Sequence, residues 1–148
     1  MTKVLTGDEI KELLVPDFSD YLLEHGKDYI YIENDLSKSL EIFTFMKDSA
    51  KFNLLSSVTS VDFISHFTVV YHLTSITRNQ TAVLKINCGV GRKEPKVSSS
   101  YSVWKGADLQ EREIYDLMGI YFQGHPNLKR LLLWENFEGH PLRKDFVS

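Results

Sequence analysis

The chain has 148 residues, of which 43% are hydrophobic and 25% are charged, and its formal net charge is −3 at neutral pH. This composition is ordinary for a soluble globular domain with its own hydrophobic core, and it gives no general attraction to nucleic acid or anionic lipid. No run approaches the roughly 18 apolar residues of a membrane-spanning helix, and the N-terminus lacks the apolar core of a signal peptide. We therefore expect a cytosolic domain, which a partner can hold at a membrane.

Cys88 is the single cysteine of the chain. An intramolecular disulfide is thereby excluded, and an iron–sulfur cluster held by this chain alone would need about four thiolates. Because Cys88 lies in an apolar run, residues 82–88, we interpret it as a buried structural thiol. The sequence therefore does not indicate an autonomous redox protein.

The N-terminal third of the chain predicts one helix and two strands. Thr6 and Glu9 have the spacing of a capping box, and the helix that they open is expected to end before Pro16. Residues 18–23 and 29–33 are rich in apolar and aromatic residues and flank a turn, which predicts a pair of strands.

The middle of the chain predicts a second helix and three strands. Asp35 is the expected N-cap of a helix that runs to about Ala50, with apolar residues at helical spacing. Residues 54–63, 67–73 and 81–87 are rich in β-branched and aromatic residues, and the last two are expected to form a hairpin.

The last third of the chain predicts loops, a short helix and an irregular tail. Residues 89–95 and 98–100 have the glycine, proline and serine content of loops. Asp108 and Glu111 are spaced as a second capping box, and Gly119 suits the left-handed position after the helix.

This order of elements predicts an α+β fold, a two-layer sandwich of helices on a mostly antiparallel sheet with an extended irregular C-terminal arm. We expect a globular region over residues 1–105. Residues 106–148 are expected to form a short helix and a partner-binding arm of the same unit.

The predicted short helix carries many charges. Arg112 and Asp116 are four residues apart and are expected to pair, while Glu111 and Glu113 favour the positive N-terminal end of the helix. Two interpretations stay open for this pattern: an exposed helix with ion pairs on its surface, or a helix that faces a partner.

A five-residue motif occurs twice near the C-terminus, at residues 122–126 and 137–141, each time as Phe-x-Gly-His-Pro. His125 and His140 invite a metal site with the acidic residues of the helix, but neither has a second ligand at the spacing usual for zinc. The proline after each histidine favours an extended backbone, so we interpret the motif as a rigid change of direction. No serine or cysteine lies in a nucleophile-elbow motif, and we predict neither a metal ligand nor a catalytic residue.

The charges of residues 111–145 nearly cancel, with six acidic and five basic side chains. They flank the apolar residues 131–134, a combination typical of an interface in which ion pairs set the register around an apolar centre. Arg143 is a candidate for a bidentate contact with a carboxylate. Some of the apolar run can instead fill the core of the domain itself.

The stretch from Glu111 to Phe146 closely resembles the signature of the 30 kDa subunit, also called the C subunit, of respiratory complex I. The resemblance includes Glu-Arg-Glu at residues 111–113, both Gly-His-Pro motifs, and Arg-Lys-Asp-Phe at residues 143–146. Residues 70–73 (Val-Tyr-His-Leu) also resemble the central strand of that family. The similarity covers about residues 55–146.

The resemblance implies a structural subunit of the peripheral arm of a proton-translocating NADH:quinone oxidoreductase. In that family the 30 kDa subunit binds no flavin and no iron–sulfur cluster, so NADH, quinone, flavin and clusters are expected elsewhere in the complex. The implied partners are the quinone-reducing large subunit (the D subunit) and cluster-bearing subunits. The implied location is the cytoplasmic face of the cell membrane, reached through the complex.

On this interpretation the residues that contact partners form a polar set and an apolar set, both near the C-terminus. The predicted partner-binding residues are Glu111, Arg112, Asp116, His125, Arg130, Leu131, Leu133, Trp134, Phe137, His140, Arg143, Lys144 and Asp145. Replacing Arg143 by alanine is then expected to impair assembly while leaving the folding of the isolated chain nearly unchanged.

Two other functions stay open from the sequence alone. One is the equivalent subunit of a membrane-bound nickel–iron hydrogenase or another relative of complex I with a different electron donor. The other is a small metal-dependent hydrolase that uses His125, His140 and the pair Glu111 and Glu113.

Overall fold

A computed structural model of the chain describes residues 2–89, 92–130 and 139–146. Three α-helices and eight β-strands lie within these ranges. A 3-10 turn over Ser19–Tyr21 follows the first helix. In chain order the elements are β1 (Lys3–Val4), α1 (Gly7–Phe18), β2 (Leu22–His25), β3 (Ile30–Ile32), α2 (Leu36–Asp48), β4 (Leu54–Asp62), β5 (Phe67–Ser75), β6 (Gln80–Cys88), β7 (Lys96–Ser98), α3 (Ala107–Met118) and β8 (Tyr121–Gln123).

The main sheet has the strand order β2-β3-β6-β5-β4, and β1 pairs with the beginning of β6. Strands β4, β5 and β6 form an antiparallel meander, and β2 and β3 are antiparallel to each other. The pairings β3–β6 and β1–β6 are parallel. The predicted α+β fold with a mostly antiparallel sheet is confirmed, and so is the hairpin of β5 and β6.

One face of the sheet forms the core. Along β5, Phe67, Val69, Tyr71 and Leu73 alternate toward the helices and are fully buried. The ring of Phe43, on α2, lies 4.9 Å from the ring of Tyr71. Side chains two residues apart share one face of a sheet. The alternation therefore agrees with the strand predicted at residues 67–73.

The first helix extends beyond its predicted end. The capping box of Thr6 and Glu9 is confirmed, but α1 runs through Pro16 to Phe18. Pro16 is exposed and removes one backbone bond, the one that its own N–H would donate, whereas Leu14 and Phe18 share the buried face. Burial of these two side chains therefore outweighs the break, and the predicted strand at 18–23 begins only at Leu22.

Three short strands, β1, β7 and β8, were not predicted. Strands β7 and β8 pair in parallel as a separate two-stranded sheet, with Val97 opposite Phe122. Both side chains are fully buried, so Phe122 belongs to the core rather than to an extended arm. The predicted loop at 98–100 was wrong for Ser98, which ends β7. Three-residue strands carry too little periodicity to be seen in the sequence.

The thiol of Cys88 is buried, as predicted, at the end of β6. Burial raises the pKa of Cys88 to about 12. Within the ranges that the structure describes, no helix has the length and apolar content needed to cross a membrane.

Candidate partner-binding site

Helix α3 begins at Ala107 with Gly106 as its N-cap, so the predicted capping box of Asp108 and Glu111 is wrong. Glu111 lies instead on the buried face of the helix, with no exposed area. Its Oε1 accepts a hydrogen bond from the Ser99 hydroxyl at 2.5 Å, and its Oε2 accepts from the N–H and hydroxyl of Ser100, both at 2.8 Å. Burial raises the pKa of Glu111, and the bonds from the two serines act in the opposite direction.

The second acidic residue of α3, Asp116, is also fully buried. Nη1 of Arg130 lies 2.9 Å from its Oδ1 and also donates to its backbone carbonyl. Nη2 of the same guanidinium donates to the carbonyl of Gly139 at 3.0 Å, which joins the residues before and after the stretch 131–138. The predicted pair of Arg112 and Asp116 is therefore wrong, and so is the interpretation of the helix as exposed.

Both histidines of the repeated motif lie against α3. Nε2 of His125 is 3.1 Å from Oδ1 and 3.3 Å from the carbonyl oxygen of Asp108, and its Nδ1 accepts a bond from the N–H of Asn127. Nδ1 of His140 donates to the carbonyl of Asp116 at 3.1 Å. Asp108 and Asp116 are two helical turns apart, about 12 Å along the axis. The two motifs therefore hold the segments 124–130 and 139–146 against opposite ends of one helix.

The two copies of the motif share a backbone geometry as well. Gly124 and Gly139 both have φ 89°, a left-handed value that favours glycine. No group of three or more histidine, cysteine, aspartate or glutamate side chains that could hold a metal ion is found among the described residues. The repeat is explained by its shape and by its contacts with the helix.

The C-terminal segment passes close to Gly119, the left-handed C-cap of α3. A Cβ built at this position would lie 2.6 Å from Cδ2 of His140 and 2.7 Å from Nη2 of Arg143. Nε of Arg143 donates to the carbonyl of Met118 at 2.6 Å, and its guanidinium lies 4.9 Å from the ring centroid of Phe67. Within the described residues Arg143 thus contacts a carbonyl and an aromatic ring, and its carboxylate contact with a partner stays a prediction. Burial lowers the pKa of His140, and Arg143 and Arg130 lower it further.

The end of the segment 139–146 is fixed by a cluster of charged residues that was not predicted from the sequence. Arg92 forms a fork on Asp62, with Nη1–Oδ1 at 2.5 Å and Nη2–Oδ2 at 2.8 Å. The N–H of Lys144 donates to Asp62 at 2.9 Å, and Arg92 also pairs with Asp145 at 3.0 Å. Asp62 ends a strand and Arg92 was assigned to a loop, so no local pattern joins them. Only the fold brings these four residues together.

The acid stability of the chain is expected to depend on Asp62. The bonds from Arg92 hold the pKa of this carboxyl well below its usual range, and the bond from the N–H of Lys144 acts in the same direction. A carboxyl with a lowered folded-state pKa stabilises the fold above its unfolded value and loses that effect as the pH falls. At pH 7 we expect the free energy of unfolding of the wild-type chain to be larger than that of Asp62→Asn. This difference should become smaller below about pH 4.

Denaturant unfolding at a series of pH values measures this difference. Asp17→Asn, at an exposed position of α1, is the matched control and should behave as the wild type throughout. A difference between wild type and Asp62→Asn that stays constant from pH 7 to pH 3 would contradict the role assigned to the carboxylate.

The structure brings most of the predicted polar residues together within this chain. Glu111, Asp116 and His125 are bonded inside it, while Arg112 is half-buried and its Nε has no hydrogen-bond partner among the residues that the structure describes. The predicted residues with exposed surface are Lys144 and Asp145. The predicted apolar contacts lie outside the described residues: Leu131, Leu133, Trp134 and Phe137.

Comparison with known proteins identifies close relatives over most of the chain. It is 39% identical over 131 residues to the C subunit of the NADH-quinone oxidoreductase of Moorella thermoacetica, a match that covers 87% of each chain. It is 40% identical over 113 residues to the protein of the same name from Geobacter sulfurreducens, covering 74% of this chain and 68% of that one.

Two solved structures share the fold. The chain from a membrane-bound sulfane sulfur reductase matches with a TM-score of 0.74 at 21% identity, covering 95% of this chain and 84% of that chain. A trypsin-resistant fragment of Nqo5 matches with a TM-score of 0.60, also at 21% identity, covering 80% and 96%. The family model described as "Respiratory-chain NADH dehydrogenase, 30 Kd subunit" matches residues 32–148. The chain therefore belongs to the family of the 30 kDa subunit of the respiratory-chain NADH dehydrogenase.

Proposed function

We propose that this chain is the 30 kDa subunit of a complex I-type NADH:quinone oxidoreductase, in which it is a structural subunit of the peripheral arm. The observation that carries the proposal is the match to NADH-quinone oxidoreductase relatives over nearly the whole chain, 87% of it in one case. The complex transfers electrons from NADH to quinone and translocates protons. The isolated chain has an assembly role and no catalytic role of its own.

The cofactors belong to other chains under this proposal. Flavin and iron–sulfur clusters lie in other subunits of the arm, and quinone is reduced on the large subunit. This chain docks on that large subunit and on cluster-bearing subunits, which keeps the electron-transfer distances fixed. Through them it is held at the cytoplasmic face of the membrane.

The contact with these partners is assigned to the short helix and arm after residue 105, which extend the globular region over residues 1–105. Within the described residues, Arg112, Lys144 and Asp145 have side-chain surface available for a partner. The apolar contacts are assigned to Leu131, Leu133, Trp134 and Phe137. Glu111, Asp116, Arg130, His125, His140 and Arg143 contribute by holding the helix and the arm in one arrangement, a role supported by their bonds inside the chain.

Arg112→Ala tests this assignment best. The side chain is half-buried and its Nε makes no hydrogen bond among the described residues, so its loss should cost the isolated chain little stability. Loss of a charge that finds its partner only in the assembly should by contrast weaken assembly strongly, because the partner's group is then left unpaired. We expect loss of assembled complex and of NADH:quinone activity in membranes, with the thermal unfolding of the purified chain nearly unchanged.

Lys11→Ala is the matched control, since Lys11 is an exposed cation of α1 and lies outside the family match. Arg143→Ala discriminates less well than the sequence suggested, because Arg143 bonds Met118 and packs on Phe67 within this chain. An Arg112→Ala complex that assembles and works like the wild type would argue against the partner contact.

The identity of the chains that co-purify with this one distinguishes the proposal from its competitor. A flavin-bearing NADH module among them supports complex I. A nickel-binding large subunit would instead favour a membrane-bound hydrogenase or another relative with a different electron donor.

A further inference from the structure

A groove of about 340 Å3 lies between the edge strand β4 and helix α3. Val58, Ile114 and Met118 are buried and line it, and the partly or largely exposed Leu117 and Leu142 line it as well. Leu142 is 60% exposed, although its N–H is fixed to the carbonyl of Leu117 at 3.0 Å. Its backbone is thus fixed to the helix while most of its apolar side chain is left uncovered.

The backbone of β4 adds hydrogen-bonding groups beside this groove. β4 is the last strand of the sheet, and the N–H of Val58 points away from β5, because it donates to Oε1 of Gln110 at 2.7 Å. The N–H of Phe63 bonds His66 across the turn. In an antiparallel ladder these directions alternate, so Ser60, two residues after Val58, also directs its N–H and C=O away from β5. An edge of this kind is a template for another extended chain.

The electrostatic character of the groove comes from α3. Glu113 is exposed at the rim, and it is the charged residue among the described residues that line the groove. It makes no ion pair within the described ranges of the chain. An apolar groove with one free carboxylate beside it is complementary to an apolar side chain that has a cation next to it.

We propose that the groove between β4 and α3 binds an extended segment of a partner protein that carries a bulky apolar residue next to a lysine or arginine. The segment pairs with Ser60 at the strand edge, inserts its apolar side chain between Leu117 and Leu142, and places its cation on Glu113. Gln110 occupies the edge at Val58, which limits the pairing to the residues of β4 beyond it. The groove shares α3 and the arm with the partner contact assigned above, but none of its lining residues is among those named for that contact.

A photoreactive benzoylphenylalanine at position 59 tests the proposal in the native assembly, whatever chains that assembly contains. Thr59 is exposed and lines the groove. After irradiation of the purified complex, digestion and mass spectrometry identify the peptide that is linked to this chain. We expect a single segment of another protein with an apolar residue beside lysine or arginine. Slower amide exchange at Ser60 in the complex than in the isolated chain is the second expected result.

Glu113→Lys provides the matched variant, since it reverses the rim charge at an exposed position. The yield of the linked peptide should fall about fivefold, the effect of exchanging one exposed ion pair for a repulsion. Glu12→Lys, an exposed glutamate of α1, should leave the yield unchanged. No linked peptide, a second copy of this chain, a segment without the apolar–basic pair, or a yield insensitive to Glu113→Lys would each overturn the proposal.

Discussion

Replacement of Gly119 by alanine is expected to destabilise the chain by on the order of 3 kcal/mol. Gly119 has φ 74°, and a side chain in the left-handed region costs about 1–2 kcal/mol. The added methyl group would also lie within 2.7 Å of His140 and Arg143, so these side chains must move, and overpacking typically costs about 1–3 kcal/mol more. Denaturant unfolding of the purified chain measures the sum.

Two other glycines separate the backbone cost from the steric cost. Gly124 has φ 89° but nothing within 4 Å of a built Cβ, so Gly124→Ala should cost only the backbone contribution, about 1–2 kcal/mol. Gly106 has a right-handed φ of −64° and an equally open surrounding. Gly106→Ala should therefore be neutral or slightly stabilising, because alanine restricts the unfolded chain.

The expected order of stability is therefore Gly106→Ala, then Gly124→Ala, then Gly119→Ala as the least stable. Gly119→Ala should also release the segment 139–146, seen as faster amide exchange at Leu142, whose N–H is bonded to Leu117. Equal losses at Gly119 and Gly124 would show that the close approach of His140 and Arg143 contributes nothing.

The fold was largely predictable because its main elements carry local signals. Thr6 and Glu9 form the capping box that their spacing indicates, and Asp35 caps α2 through the N–H of Lys38. The long strands β4, β5 and β6 have enough residues for their β-branched and aromatic content to predict a strand. Where the prediction failed, as at Pro16, burial of Leu14 and Phe18 in the tertiary structure outweighed a local preference.

The sequence indicates the charged region around α3 but not how its residues are bonded. The burial of Glu111 agrees with its spacing, three and seven residues before the buried Ile114 and Met118, but the predicted capping box with Asp108 assigned it another role. Asp116 is covered by Arg130 and His140, which come from the arm, and no periodicity of the helix indicates a partner so distant in sequence. Asp116 therefore has the sequence pattern of a solvent-exposed residue, although the arm covers it.

Replacement of Glu111, whose carboxylate is buried, is the second substitution that we expect to lower stability strongly. Glu111→Ala would leave the hydroxyls of Ser99 and Ser100 and the N–H of Ser100 without their acceptor in the core. Each unsatisfied buried group costs about 1–3 kcal/mol, so the total loss is expected to be on the order of 3–5 kcal/mol. Glu113→Ala, two residues further along the same helix and exposed, should cost less than about 1 kcal/mol.

Glu111→Gln separates the charge from the shape of this side chain. Because the pKa of Glu111 is raised, the folded state holds its proton more tightly than the unfolded state, and the ionised carboxylate contributes less stability as the pH rises above about 4.5. The advantage of the wild type over Glu111→Gln should therefore be largest in acid and shrink toward neutral pH, opposite in sign to the behaviour expected of Asp62→Asn. Unfolding of both variants in one pH series compares them directly. An advantage that grows toward neutral pH would mean that the bonds from Ser99 and Ser100 outweigh the cost of burying the charge.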